Sequence, residues 1–234
     1  MPVVQDPPIT LEMADLLRRE EGSRRREVPP RVLAAILELR QQAERERLIR
    51  PAFAFEAHPV VEISEERLVL DGGVILDGRM LVTRFRAARQ ILALVGTIGG
   101  ALEQRSMECY EAQDPFRALL LDGIGNAAID ALSREMCRAA SAFAAAEDLR
   151  ASGPLAPGIH GIPLADQPLL LRLAGAERIG VRLSSGLMME PVKSISMVIG
   201  IGAEVETWDK AQACSWCALK TRCDYRVSAP ASVS

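Results

Sequence analysis

Residues 179–201, IGVRLSSGLMMEPVKSISMVIGI, contain two of the runs from which the fold class can be argued. Residues 179–183 (IGVRL) and 194–201 (SISMVIGI) are short, apolar and rich in β-branched side chains, which favours strands. Residues 91–95 (ILALV) have the same character and are followed by a glycine-rich turn and a predicted helix from Ala101. These runs predict three strands. Residues 179–183 and residues 194–201 are expected to form a pair.

Helix signals surround these strands. Thr10 and the Pro29-Pro30 pair each begin a predicted helix, and Asp114-Pro115 begins one of about 30 residues. Residues 53–85 predict short strands joined by turns, and residues 166–174 predict a short helix. This order predicts an α+β fold with a twisted, largely antiparallel sheet flanked by helices, and it argues against a doubly wound nucleotide fold.

Composition narrows the class of function. The chain has 234 residues, of which 49% are hydrophobic and 25% charged, as is typical of a globular protein. Its net charge of −3 offers no general attraction for nucleic acid or an anionic membrane. No apolar run of about 18 residues and no leader pattern occurs, which predicts a cytoplasmic protein without a membrane span. No Ser/His/Asp set or His-Glu zinc motif stands out, which weighs against an ordinary hydrolase.

Four short motifs in residues 156–200 follow one another in a recognisable order. They are Ala156-Pro157-Gly158, residues 179–184 (IGVRLS), Met189 with Pro191, and residues 194–196 (SIS). This series resembles the activation domain of cobalamin-dependent methionine synthase, the module that binds S-adenosylmethionine during reductive reactivation. Residues 97–99 (TIG) and 122–125 (DGIG) are similar to stand-alone relatives of that module.

The resemblance implies a domain organisation and a function. Residues 10–205 form the activation-like domain, between a mobile lead-in at 1–9 and a cysteine-bearing tail at 206–234. The chain is then an accessory module, rather than an independent enzyme, that docks on a cobalamin-dependent methyltransferase or corrinoid protein. Methionine synthase is the first candidate, and the partner carries the cobalamin. An electron donor such as flavodoxin or ferredoxin supplies the electron, and a large docking surface implies an exposed apolar face.

The same resemblance assigns candidate site residues. Ala156, Pro157, Gly158, His160 and Ser184 are expected near the nucleoside of S-adenosylmethionine or near the corrinoid. Glycine suits a backbone that approaches a ligand closely, and histidine offers a polar tip that titrates near neutral pH. The structural alternative is a turn-rich connector with a surface histidine.

Several family positions are occupied differently in this chain. Pro154 and Ile159 stand where the family has an arginine and a tyrosine, and Ser185 and Leu187 stand where it has a glutamate and a tyrosine. Arginine is the natural bidentate partner of a carboxylate, here that of S-adenosylmethionine, and no aligned residue replaces the family's arginine. Binding of S-adenosylmethionine therefore stays an open expectation at this point.

Three of the five cysteines lie within ten residues of one another near the C-terminus. The spacing Cys214-x2-Cys217-x5-Cys223 in a cytosolic protein indicates metal binding or redox work rather than structural disulfides. A fourth ligand would come from Cys109, in a segment interpreted as a loop, in preference to Cys137 in the long helix. The other possibility is that the fourth coordination position is open. An iron–sulfur cluster is the leading expectation, zinc is the alternative, and free thiols or a disulfide are the third reading.

Two further functions stay open. The first is an iron–sulfur reductive activator of another corrinoid protein, acting without S-adenosylmethionine; the missing arginine and tyrosine favour it. The second is a non-catalytic binding module whose zinc site only stabilises the fold.

Asp122 and Asn126 lie within an apolar helix, so both polar side chains are expected to have partners.

Overall fold

The computed structural model describes residues 2–21, 28–159, 162–217 and 220–223. The strands are β1 (Val3–Gln5), β2 (Ala52–Ile63), β3 (Arg67–Leu70), β4 (Val74–Asp77), β5 (Gln90–Thr97), β6 (Arg150–Leu155), β7 (Arg182–Leu183), β8 (Met189–Glu190) and β9 (Ser194–Gly202). The helices are α1 (Met13–Glu21), α2 (Pro30–Arg45), α3 (Arg79–Phe85), α4 (Ala101–Glu111), α5 (Pro115–Ala145), α6 (Gln167–Ala174) and α7 (Lys210–Trp216).

The main sheet has the strand order β4-β3-β2-β5-β9-β6, and β1 also pairs with β2. The pairs β1/β2, β2/β3, β3/β4 and β6/β9 are antiparallel, and β7 and β8 form a separate antiparallel ribbon. The predicted α+β class with a largely antiparallel sheet is confirmed.

The two central strands are apolar along their length because both of their faces are covered. In β5, residues 91–95 are at most 1% exposed, and in β9 every residue from Ser196 to Gly202 is buried. Strands buried on both faces show continuous apolar runs instead of alternation. This is why ILALV and SISMVIGI could be recognised as strands from the sequence.

Four local expectations differ from the structure. Residues 79–85, predicted as strand and turn, form α3, with Leu81, Val82 and Phe85 buried at helical spacing. Of residues 179–183 only Arg182–Leu183 is a strand, because a 3-10 helix (Ala176–Ile179) ends at Gly180 with φ 73°. The segment around Cys109, interpreted as a loop, is part of α4. Part of the lead-in expected to be mobile is β1, whose Val4 pairs with Phe53.

The chain divides into two compact units. The first unit comprises Met1–Ala54, Val95–Met136 and Gly175–Ile195, and the second comprises Phe55–Leu94, Cys137–Ala174 and Ser196–Ser234. The boundaries differ from the sequence-based division at residues 10 and 205, which stays a prediction. Each unit is described separately below.

Helix α5 begins as the sequence predicts. The Asp114 carboxylate accepts a hydrogen bond from the Arg117 backbone N–H at 3.0 Å, and Pro115 occupies the first helical position. Two glycines follow in the helix. A Cβ at Gly123 would meet nothing within 4 Å, whereas a Cβ at Gly125 would lie 2.8 Å from the Leu102 Cδ2 atom and 3.1 Å from the Lys193 Cε atom. Gly125 is therefore a close-packing position.

These two glycines are expected to respond to alanine in opposite directions. Gly123→Ala should raise the free energy of unfolding by roughly 0.5–1 kcal/mol, because alanine is the better helix former. Gly125→Ala should lower it by about 1–2 kcal/mol, because Leu102 is fully buried and has no room to withdraw. Urea unfolding of both variants measures the difference, and equal shifts would contradict the packing assigned to Gly125.

Candidate functional site

The predicted ligand loop is a tight turn in the second unit. The Gly158 N–H donates to the Ile162 carbonyl at 2.8 Å, and Pro157 forms an isolated bridge with Ile162. Gly158 has φ +77°, a conformation that side-chain-bearing residues rarely adopt. Ala156 is half-buried, Pro157 is buried, and Gly158 and Ile159 are exposed, so the turn presents its tip to solvent. His160 lies outside the described residues.

The cysteine-bearing segment contacts this turn within the same unit. Helix α7 begins at a capping box in which Asp209 accepts from the Gln212 N–H at 2.7 Å and the Gln212 side chain accepts from the Asp209 N–H. Cys217 follows the helix, is buried, and places its Sγ atom 4.0 Å from the Ile159 carbonyl oxygen. The structure therefore brings one predicted metal ligand to the predicted ligand loop.

An aromatic cluster holds the segment that leads into α7. Trp208, only 9% exposed, stacks on Phe85 with ring centroids 6.2 Å apart and meets Trp216 edge-on at 5.9 Å. The Arg84 guanidinium lies 4.6 Å from the Trp216 ring centroid and pairs with Glu206 at 2.6 Å. We call these five residues the tryptophan cluster. Sequence reasoning missed it; the only local signal was the pair of tryptophans eight residues apart.

The predicted metal ligands are not gathered into one group. All five cysteines are free thiols, with Cys214 and Cys223 half-buried. Among residues 2–21, 28–159, 162–217 and 220–223, no three His, Cys, Asp or Glu side chains lie close enough together to hold an ion. Cys109 belongs to α4 in the first unit. The described side chains thus form no preassembled site, and the four-cysteine ligand set stays a prediction.

Ser184, the remaining predicted site residue, lies in the first unit and serves its own hairpin. Its hydroxyl oxygen accepts from the Met188 N–H at 3.2 Å, and its N–H donates to the Met188 carbonyl at 2.9 Å. These bonds close the turn between β7 and β8, and Arg182 pairs with Glu190 across the same ribbon at 2.8 Å. A role for Ser184 at a ligand stays a prediction.

A polar network in the first unit supplies the partners expected for Asp122 and Asn126. The Lys193 Nζ atom lies 2.6 Å from an Asp122 carboxylate oxygen and 2.7 Å from the Asn126 side-chain oxygen. The carbonyl of Lys193 accepts from the Ile98 N–H at 3.1 Å and from the Thr97 hydroxyl at 3.2 Å. Lys193 follows the Met189/Pro191 motif, so this network fixes one end of a family-like segment to α5 and β5.

Desolvation raises the pKa of the half-buried Cys137 thiol to about 11, which lowers its reactivity toward alkylating reagents. At pH 8 a thiol with that pKa is ionised only in roughly one molecule per thousand, and the thiolate is the reactive form. Peptide mapping after iodoacetamide treatment of the native protein should show Cys137 modified more slowly than the equally half-buried Cys214 and Cys223. The urea-unfolded protein is the control, in which Cys137 should react like the other cysteines. Fast native labelling of Cys137 would contradict its raised pKa.

The first unit exposes apolar side chains on neighbouring helices. Met107 and Tyr110 on α4, and Phe116 and Leu119 on α5, are all exposed. The Ser106 hydroxyl donates to the Ala118 carbonyl at 2.9 Å and ties the two helices together there. The first unit therefore presents exposed apolar side chains on two helices that are hydrogen-bonded to each other. In the described parts of the chain, none of the helices has the length and hydropathy needed to cross a bilayer.

Comparison with known proteins places the fold. No family model matches the sequence, and no curated protein matches it. Among solved structures the chain resembles the crystal structure of the MetH reactivation domain bound to AdoHcy, with a TM-score of 0.66 and 11% sequence identity. The alignment covers 88% of this chain and 80% of that domain. The fold implied by the sequence motifs is therefore confirmed, and the chain shares the architecture of that reactivation domain.

Proposed function

We propose that the chain is an accessory module for reductive reactivation of a cobalamin-dependent methyltransferase, with methionine synthase as the first candidate. The observation that carries the proposal is the fold likeness to the MetH reactivation domain over 88% of the chain. The four sequence motifs in residues 156–200 and the exposed apolar residues of α4 and α5 support it. In this role the partner carries the cobalamin, and the module docks over it.

The residues of this chain would position the partners in the reaction. The exposed turn at Gly158 and Ile159 offers backbone groups to a ligand, with its shape fixed by the hydrogen bond from Gly158 to Ile162. When bound, S-adenosylmethionine supplies the methyl group that traps the reduced cofactor, and a flavodoxin or ferredoxin supplies the electron. Because Pro154 and Ile159 replace the family's arginine and tyrosine, contact with that ligand rests on the backbone of the turn.

Calorimetry and a reactivation assay test the proposal together. The chain is titrated with S-adenosylmethionine and S-adenosylhomocysteine, with and without a cobalamin-loaded methionine synthase that lacks its own reactivation domain. Recovery of methyltransferase activity after oxidation of the cobalamin is then measured. Ligand binding and recovery that both require the chain support the proposal. Absence of recovery with every corrinoid methyltransferase tried would overturn it.

Two glycine substitutions distinguish an effect on the ligand turn from an effect of backbone strain in general. Gly158→Ala and Gly72→Ala both place a side chain at a positive φ in the second unit, +77° and +80° respectively, and a Cβ at Gly72 meets nothing within 4 Å. Gly158→Ala should weaken ligand binding at least tenfold, whereas Gly72→Ala should leave it unchanged. Equal effects would indicate strain alone.

A second candidate function follows from the cysteines. The missing arginine and tyrosine, together with the spacing Cys214-x2-Cys217-x5-Cys223, favour an iron–sulfur reductive activator of another corrinoid protein that does not use S-adenosylmethionine. Anaerobic purification tests it. A brown protein that absorbs near 400 nm and contains iron supports this candidate, whereas a colourless protein with zinc supports the non-catalytic binding module.

A further inference from the structure

The first unit contains an open cavity of about 860 Å³ that none of the motifs predicts. Its walls are residues 6–11, which follow β1, the C-terminal end of α2, and residues 49–51. Backbone hydrogen bonds fix these walls: the Asp6 N–H donates to the Pro51 carbonyl and the Arg50 N–H donates to the Ile98 carbonyl, each at 2.9 Å. The volume lies in the range of small-molecule sites, and several elements define its shape.

Half of the residues that line the cavity are apolar, and we call these six residues the floor. Three of its residues are buried and three are half-buried, so the cavity retains accessible hydrocarbon surface. These floor residues are Pro7, Ile9, Leu11, Ala43, Ile49 and Pro51. Such a floor favours the apolar part of a ligand over a bare ion.

The rim carries an excess of positive charge. Arg40 and Glu44 neutralise one another through an ion pair of 3.1 Å. Arg47 has no ion-pair partner among the described residues, and Arg50 uses only its Nε atom, which donates to the Arg47 carbonyl at 3.4 Å. Asp6 is the other acidic residue in the lining, so outside that ion pair the lining contains two arginines and one acid. A guanidinium group that has no ion-pair partner within the protein is suited to bidentate contact with a carboxylate or a phosphate.

We propose that this cavity binds a small organic anion, a carboxylate or a phosphate monoester with a short apolar body, through Arg47 and Arg50. The anionic group meets the two guanidinium groups at the rim, and the apolar body lies on the floor formed around Ala43. The proposal is independent of the corrinoid role, because every residue in it belongs to the first 51 residues of the chain and none to the ligand turn.

Saturation-transfer NMR on the full chain tests the proposal with three probes of one chain length: hexanoate, hexyl phosphate and hexanol. The two anions should give saturable signals and hexanol a signal at least tenfold weaker, and the ratio of the two anions identifies the preferred headgroup. The variant Arg47→Gln/Arg50→Gln should weaken anion binding at least tenfold. Arg45→Gln, an exposed arginine at the same helix end but outside the lining, is the matched control and should change binding less than twofold.

Three results would overturn the proposal. The first is no saturable binding of either anion at millimolar concentration. The second is equal weakening by Arg45→Gln and by the double variant, which would indicate attraction by general surface charge. The third, measured with a short acidic peptide as a fourth probe, is binding of that peptide without binding of either hexyl anion, which would assign the surface to a protein partner instead. The melting temperatures of the variants, expected to match that of the parent chain, confirm that the fold is intact.

Discussion

Gly153→Ala is expected to lower the free energy of unfolding by about 3 kcal/mol. Gly153 is a buried residue of β6, and a Cβ built on it would overlap three atoms of the Trp208 indole. The indole cannot withdraw easily, because it is stacked on Phe85 and covered by Trp216. The added methyl group must therefore displace Trp208 and open the tryptophan cluster.

Fluorescence gives a specific readout for this prediction. The chain contains two tryptophans, and both belong to the cluster, so a red shift in emission reports its opening alone. Trp208→Leu in the Gly153→Ala background is the control, because a smaller side chain leaves room for the new methyl group. Gly153→Ala should then cost less than half as much as in the parent. Additive costs in this double-mutant cycle would show that the overlap with Trp208 is not the cause.

Lys193→Met is expected to cost about 2 kcal/mol of stability. The Lys193 side chain is 13% exposed and its ammonium group contacts Asp122 and Asn126, so methionine fills the volume but leaves both oxygens without their cation. The cost is kept below that of a fully buried pair because the Asp122 side chain is 39% exposed and retains some hydration. Chemical denaturation of the variant measures it.

A substitution of Asp122, which contacts the Lys193 ammonium group, provides the control for Lys193→Met. Adding Asp122→Asn to Lys193→Met removes the carboxylate charge that Lys193 contacts in the parent chain, and it should restore about half of the lost stability. The backbone carbonyl of residue 193 still accepts from Ile98 and Thr97 in every variant, so the segment stays attached. A cost below about 0.5 kcal/mol for Lys193→Met would show that solvent screens this ion pair as it screens surface pairs.

The sequence predicts the elements that contain a continuous or periodic apolar run. β5 and β9 could be recognised as continuous apolar runs, and α5 from Asp114 and its apolar stripe. α3 was missed because the glycines and β-branched residues before it favoured strands, while the burial of Leu81 and Phe85 that stabilises it is a tertiary effect. Cys109 was assigned to a loop because α4 has a weakly apolar face, with only Leu102 buried.

Of the candidate site, only the part that contains a short sequence motif could be predicted from the sequence. The Ala156-Pro157-Gly158 turn was found from its resemblance to a family, and the structure shows the positive φ that requires its glycine. The contact of Lys193 with Asp122 joins residues 71 positions apart, and that of Arg84 with Glu206 joins residues 122 apart. No periodicity or spacing within a short window can indicate such pairs. The cavity near Arg47 was missed for the same reason, since its walls come from separate segments.

Trp216 lies between Cys214 and Cys217 in sequence and is one of the two indoles of the tryptophan cluster. The protein thus has an internal optical probe beside the thiols whose chemistry is least certain. Iron or another redox-active group bound by those sulfurs would quench the indole emission, whereas zinc, which has no visible absorption, would leave it bright. Metal uptake and loss could therefore be followed in real time, without a label, in the same cuvette as an assay.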